Sequence, residues 1–295
     1  MIADGEPQAA NCGPQVISFG EIVFDHIVGK HYLGGAPLNF ACYLRQFGVP
    51  VALVSAVGHD KLGQTALRSL SGAGVDTSRV ETRPQPTGTV EVRLVEGDAE
   101  FIVADGCAWE QIELSGAPFW GQPALLYFGT VAQKTATNRA SLEALCALRP
   151  RDILLDINLR PQQYSAELVM QVLKMATILR MNENEWQVVR QITSQNGPDD
   201  LLESHGLEMI ALTRGSQGAE LHLPERTYIM EGRKTDVVDP VGAGDAFTAA
   251  LAAGIVRGAD MEHALRVACE AGAAAVQSRG ALVDLPVGLR SAFVS

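Results

Sequence analysis

Short, almost wholly apolar blocks alternate along the chain with longer stretches whose apolar positions recur at helical spacing. The blocks predict strands at Val16–Phe19, Val51–Val57, Ala124–Phe128, Ile153–Ile157, Ile178–Met181, Met209–Thr213 and Glu220–Leu223. The periodic stretches predict helices at Asn39–Phe47, Leu62–Ser71, Asn138–Leu148, Ala166–Ala176, Ala246–Val256 and Met261–Gln277. Strands without a polar face, separated by helices, are what a parallel sheet covered on both sides requires. One segment breaks the rhythm. From Thr87 to Ala104 apolar and polar residues alternate around Glu96-Gly97-Asp98, which predicts a β-hairpin with one wet face, suited to a flap or lid. No repeat or low-complexity block interrupts the pattern. The expectation is an α/β chain forming one domain over residues 1–295 with a small β insertion, and a flexible tail at 1–15.

Composition narrows the function classes. The chain has 295 residues, with 23 Lys plus Arg against 34 Asp plus Glu, a formal net charge of −11. That balance argues against nucleic acid or an anionic membrane as a main partner. It also means that a phosphate ligand must be held by local groups. The five cysteines, Cys12, Cys42, Cys107, Cys146 and Cys269, are odd in number and lack CxxC spacing, which fits a reducing cytoplasm. The longest apolar run, around Ala246–Val256, is short for a bilayer span. The N-terminus lacks the basic and apolar regions of a signal peptide.

Five segments carry candidate chemistry. In Asp239-Pro240-Val241-Gly242-Ala243-Gly244-Asp245, glycines precede an Ala-rich helix. Free N–H groups and the positive dipole end at such a start receive an anion. Asp245 in the first turn is placed to accept a proton from an alcohol, and a cradle beside a base is what phosphoryl transfer to a hydroxyl needs. A plain glycine turn with an Asp N-cap has the same letters. Gly34-Gly35-Ala36-Pro37-Leu38-Asn39 opens another helix. There Gly35 lets a polar ligand approach backbone, and Asn39 offers donor and acceptor to a sugar hydroxyl. Asp25 can accept hydroxyl hydrogens at the same end of the sheet. In Asn182-Glu183-Asn184-Glu185, Asn182 and Glu185 share a helical face and suit the water shell of Mg²⁺; an ordinary capped helix start is the alternative. Thr213-Arg214-Gly215-Ser216-Gln217-Gly218 is either a nucleotide-binding turn or a simple hairpin turn. Asp156-Ile157-Asn158-Leu159-Arg160 ends a strand, where ligands of open α/β sheets gather.

In this order the segments resemble the ribokinase-like (PfkB-type) carbohydrate kinases, over roughly residues 16 to 286. The resemblance implies a three-layer α/β/α ribokinase-like fold with a small β-sheet lid, formed by residues 25–34 and 86–107. It implies Asp245 as catalytic base and Gly242, Ala243 and Gly244 as anion hole. Asp25, Gly35, Asn39, Asn158 and Arg160 fall at acceptor contacts. Asn182, Thr213, Gly215, Gly218 and Cys269 fall at the ATP site, with Cys269 where many relatives have Asn. Glu185 is implied to reach Mg²⁺ through water. Asp239 and the carbonyls of Val241, Val276 and Gly280 are implied to hold K⁺. Pro240 stands where Thr is commoner.

Within the family the similarity is to bacterial fructokinases. GGAPLNFA has Ala-Pro where ribokinases have Lys-Gly, the flap is followed by Ala108-Trp109, and YFGTVAQK has Lys134 in an Arg position. The implied activity is transfer of the γ-phosphoryl of ATP to a sugar, fructose first. Ribose, tagatose, 2-keto-3-deoxygluconate or a nucleoside, or a non-catalytic sugar-binding role, are the alternatives. A homodimer pairing through the lid is implied as well.

Overall fold

The computed structural model describes residues 15–27, 30–95, 98–114, 121–233 and 235–294. The expected tail, apart from Gln15, and Glu96-Gly97 of the hairpin turn lie outside the described residues.

The parallel part of the main sheet is built from β1 (Val16–Phe19), β4 (Val51–Gly58), β5 (Asp76–Arg83), β8 (Leu125–Gly129), β9 (Asp152–Asp156), β10 (Ile178–Asn182) and β11 (Met209–Thr213). Antiparallel β12 (Gly218–Leu223) and β13 (Arg226–Glu231) extend one edge, giving the order β13-β12-β11-β10-β9-β8-β1-β4-β5 among the described residues. Alternate side chains leave opposite faces, as a strand's period of two demands. Leu125, Tyr127, Leu154 and Ile178 join one core with helices α1 (Ala36–Gln46), α2 (Lys61–Gly72), α7 (Ala243–Arg257) and α8 (Met261–Ala275). Leu126, Phe128, Leu155 and Leu179 join the other, with α3 (Ala136–Cys146), α4 (Ala166–Leu173), α5 (Glu183–Thr193) and α6 (Pro198–His205). These are the three expected layers.

The lid is larger than a hairpin. β2 (Val23–Ile27) pairs antiparallel with β3 (Lys30–Gly34) and parallel with β6 (Gly88–Val95), whose other neighbour is β7 (Asp98–Val103). An isolated ribbon is marginally stable. Here a second ribbon covers its edge, and Val23 and Val90 pack with Trp109 and Val131 to fasten the sheet to the body. Asp25 therefore lies within a lid strand. The sequence pattern did not predict β5 or β13, because both are edge strands with alternately exposed, largely polar residues. No helix among the described residues is long and apolar enough to cross a membrane.

Candidate active site

The parallel strands β1, β9, β10 and β11 deliver Glu21, Asp156, Asn182 and Thr213 to one edge of the sheet. The starts of α1 and α7 meet there. α2, α3, α4, α5 and α8 are capped by side chains of Asp60, Thr135, Ser165, Asn182 and Asp260. α1 and α7 begin instead at Gly35 and Gly242, with no side-chain cap. No side chain therefore competes for the first N–H groups of these two helices, although Ala243 N–H lies 3.4 Å from the Pro240 carbonyl and Ala36 N–H acts on the Glu21 carboxylate. Gly242 has φ 83°, and a Cβ there would stand 2.2 Å from the Ala281 carbonyl oxygen. Gly35 has φ 110°, and its Cβ would stand 2.5 Å from the Glu21 carbonyl oxygen. Both positions need glycine for space as well as for backbone angle.

Across this junction Asn39 Nδ2 donates to Asp245 Oδ2 at 2.7 Å. Burial raises the Asp245 carboxyl to about 7 and the nearby charge of Asp156 adds to the rise, while the Asn39 hydrogen bond, Arg180 and Arg160 oppose it. Glu21, 5% exposed, is likewise raised to about 7 by burial, against its own backbone N–H and Arg160. Its Oε2 has no hydrogen-bond partner, nor has the buried Asn39 Oδ1. Asp25 is raised by burial and lowered by Arg160. Arg160, itself exposed, thus acts electrostatically on Glu21, Asp25 and Asp245 together. Asn158 is buried beside it at φ 38°, a left-handed conformation that asparagine tolerates. This side of the junction is rich in acceptors flanked by the Arg160 guanidinium, a setting that suits a ligand with many hydroxyls.

On the other side lies a cavity of about 460 Å³. Asn182, Thr213, Gly215, Gly218 and Cys269 all line it, together with Ala243 and Gly244. Much of its lining is apolar, with Met230, Val237, Phe247 and Val276, and it also includes Arg180 and the start of α7. The 213–218 segment is a hairpin turn between β11 and β12, closed by Arg214 N–H donating to the Gly218 carbonyl at 2.8 Å. Gly218 is forced, since its Cβ would fall 1.9 Å from the Met230 carbonyl oxygen.

Glu185 is buried behind this wall. Its Oε2 accepts from Asn182 N–H at 2.8 Å and its Oε1 from Leu159 N–H at 3.1 Å, while Asn182 Oδ1 accepts from Glu185 N–H. The Asn182–Glu185 pair is thus a capping box. Asp239 accepts from Val241 N–H at 3.1 Å and Gly280 N–H at 2.9 Å. The Val276 carbonyl accepts from the N–H groups of Val238 and Asp239.

Sequence reasoning gave no role to Glu21 or Arg180 and read Asp156 only as the start of a candidate segment. Arg180 Nη1 donates to Asp156 Oδ1 at 3.1 Å and Nη2 to Thr213 Oγ1 at 3.0 Å. The available signal was a charge inside a buried strand, Ile178-Leu179-Arg180-Met181, which needs a partner or a task.

A model of the pfkB family carbohydrate kinases matches residues 16–287. A fructokinase of Escherichia coli is 28% identical over 272 residues, covering 86% of this chain and 88% of that protein. A ribokinase of Bacillus subtilis is 28% identical over 262 residues, covering 86% and 84%. Among solved structures, a double mutant of fructokinase from Vibrio cholerae O395, with fructose, ADP and potassium ion bound, superposes with a TM-score of 0.82 at 25% identity. It covers 95% of this chain and 98% of its own.

Proposed function

The chain belongs to the pfkB family of carbohydrate kinases, and we propose that it passes the γ-phosphoryl group of ATP to a hydroxyl of fructose. The observation that carries this reading is Asp245, held by Asn39 at the start of α7, which has no side-chain cap, between a cluster of acceptor groups and a nucleotide-sized cavity. Fructose would lie under the lid against Asp25, Gly35, Asn39, Asn158 and Arg160. ATP would place its base against the apolar part of the cavity lining, near Cys269, and its phosphates along Asn182, Thr213, Gly215 and Gly218. The sugar oxygen bonds to the γ-phosphorus, the bond to the ADP oxygen breaks, and Asp245 takes the hydroxyl proton. A carboxyl raised to about 7 is a stronger base than an ordinary aspartate and can still ionise near neutral pH. The N–H groups of Gly242, Ala243 and Gly244 receive the charge of the moving phosphoryl. Mg²⁺ brought in with ATP would neutralise phosphate charge. Glu185, with lone pairs left on both oxygens after its backbone bonds, can hold one of its waters.

Fructose is favoured over other sugars by GGAPLN and by the fructokinase relatives. The ribokinase relative, equally identical over a similar span, supports ribose as the second reading. ADP release would be measured with fructose, glucose, ribose, tagatose, 2-keto-3-deoxygluconate and adenosine. We expect the highest kcat/KM with fructose. Ribose in first place would transfer the assignment to the second reading, and no turnover with any acceptor would favour a non-catalytic sugar binder.

As further parts of this reading, the whole chain acts as one kinase domain with its lid at 25–34 and 86–107, works in the cytoplasm, and pairs with a second copy through the lid. K⁺ bound at Asp239 and the carbonyls of Val241 and Gly280 would steady the anion hole. Val276 contributes less, because its carbonyl already accepts from two N–H groups.

A further inference from the structure

We propose that Arg180 is a second catalytic residue, its guanidinium gripping the terminal phosphates of the nucleotide beside the start of α7. The inference rests on reading the 460 Å³ cavity as the nucleotide site. That cavity is lined by Arg180 together with Ala243 and Gly244 of the α7 start, so a nucleotide whose terminal phosphate meets that start lies against Arg180. Two other arginines line the cavity, but both are exposed at its mouth. Arg233 is paired with Glu270 at 3.0 Å and Arg266 donates to His263. Arg180 is 8% exposed.

Three observations go beyond a structural ion pair. The Arg180 Nε has no hydrogen-bond partner although it is buried, and an orphaned donor of this kind is rare without a ligand or water to receive it. Asp156 and Thr213 take one N–H each, which fixes the plane of the guanidinium and leaves the rest of its fork free. A Cβ at Gly244 would stand 2.8 Å from Arg180 Nη2. Glycine there brings the backbone N–H cradle directly against the cation, so the two form one anion-binding surface. Planar guanidinium groups match phosphate oxygens with paired hydrogen bonds that an ammonium cannot reproduce. As the γ-phosphoryl leaves ADP, negative charge grows on the bridging oxygen, and this surface is positioned to receive it.

The test is calorimetric titration of ATP and AMP, with Mg²⁺ present, into the wild type, Arg180→Lys and Arg180→Gln, beside steady-state kinetics with the best acceptor. We expect Arg180→Gln to weaken ATP by about 10-fold or more while AMP changes less than about 2-fold. Turnover should fall by about 10²-fold with acceptor KM nearly unchanged. Arg180→Lys keeps the charge but not the fork; it should show the same ATP-selective loss at smaller size, and it carries the test if the Gln variant does not fold. Losses shared equally by ATP and AMP, or unaltered ATP affinity and turnover, would mean that Arg180 only neutralises Asp156. A wild type that binds no ATP would overturn the nucleotide reading and this inference with it. The binding arm is independent of which sugar is the acceptor.

Discussion

Asn39 and Asp245 stand 206 residues apart in the chain, yet the amide of one donates to the carboxylate of the other at 2.7 Å. The bond joins the first turns of α1 and α7, and it favours the ionised form of a carboxyl that burial otherwise pushes toward neutrality. Asp245→Asn should lower turnover by about 10²-fold or more while leaving acceptor binding largely intact. Asn39→Ala should keep measurable turnover but move the acidic limb of the kcat profile to higher pH. An unmoved limb would show that Asn39 does not tune the base.

The wild-type limb has a defined place. As the proposed base, Asp245 would act when ionised, so turnover should rise as pH climbs through about 7. Stability should run the other way. Carboxyls raised in the native state hold their protons where the unfolded chain has lost them, so their contribution is full below about 4 and is lost as pH rises through the folded value. For Glu21 and Asp245 that value is about 7. Melting temperature should therefore decline from pH 5 to pH 8, and Glu21→Gln should flatten the decline. Parallel profiles for wild type and variant would contradict the role given to Glu21.

Gly242→Ala tests the cradle. The new methyl would meet the Ala281 carbonyl at 2.2 Å, at φ 83°, so the loop must move. A cost of about 1–3 kcal/mol is expected from strain alone, with a larger proportional loss of kcat than of acceptor affinity. Thermal melts and kinetics on the same preparation separate the two, and a variant with full turnover would remove the cradle from the mechanism.

Lid pairing is tested by mass. Tyr32 is 45% exposed and Ile102 39% exposed on the lid, surface that a second copy would cover. Light scattering at micromolar concentration should give a dimer, and Tyr32→Glu with Ile102→Glu should shift it toward monomer. A monomeric wild type would contradict the pairing.

The loop around Asp239 is already closed by hydrogen bonds to Val241 and Gly280. If K⁺ also binds there, initial rates should be higher in K⁺ than in Na⁺ or a bulky organic cation at equal ionic strength, with the change in kcat. Equal rates would leave Asp239 as a turn clamp.

Much of the architecture was legible in the chain. Apolar blocks gave the central strands because a strand buried on both faces must be apolar throughout, as in Leu125–Phe128. Glycines at 35 and 242 marked the two helix starts because backbone geometry and space both demand them there. The edge strands β5 and β13 and the lid strands β2 and β3 were not legible, since their stability comes from neighbours supplied by distant segments. The same holds for the charges. Letters alone identify Asp245 as a carboxylate in a first helical turn. Only its burial and the nearby charge of Asp156 raise it to about 7, against the Asn39 hydrogen bond and Arg180, because desolvation and charge proximity are properties of a place in space. Arg180 reads in sequence as an awkward charge in an apolar strand. The crossing of β9, β10, β11 and α7 is what puts its guanidinium between Asp156, Thr213 and Gly244.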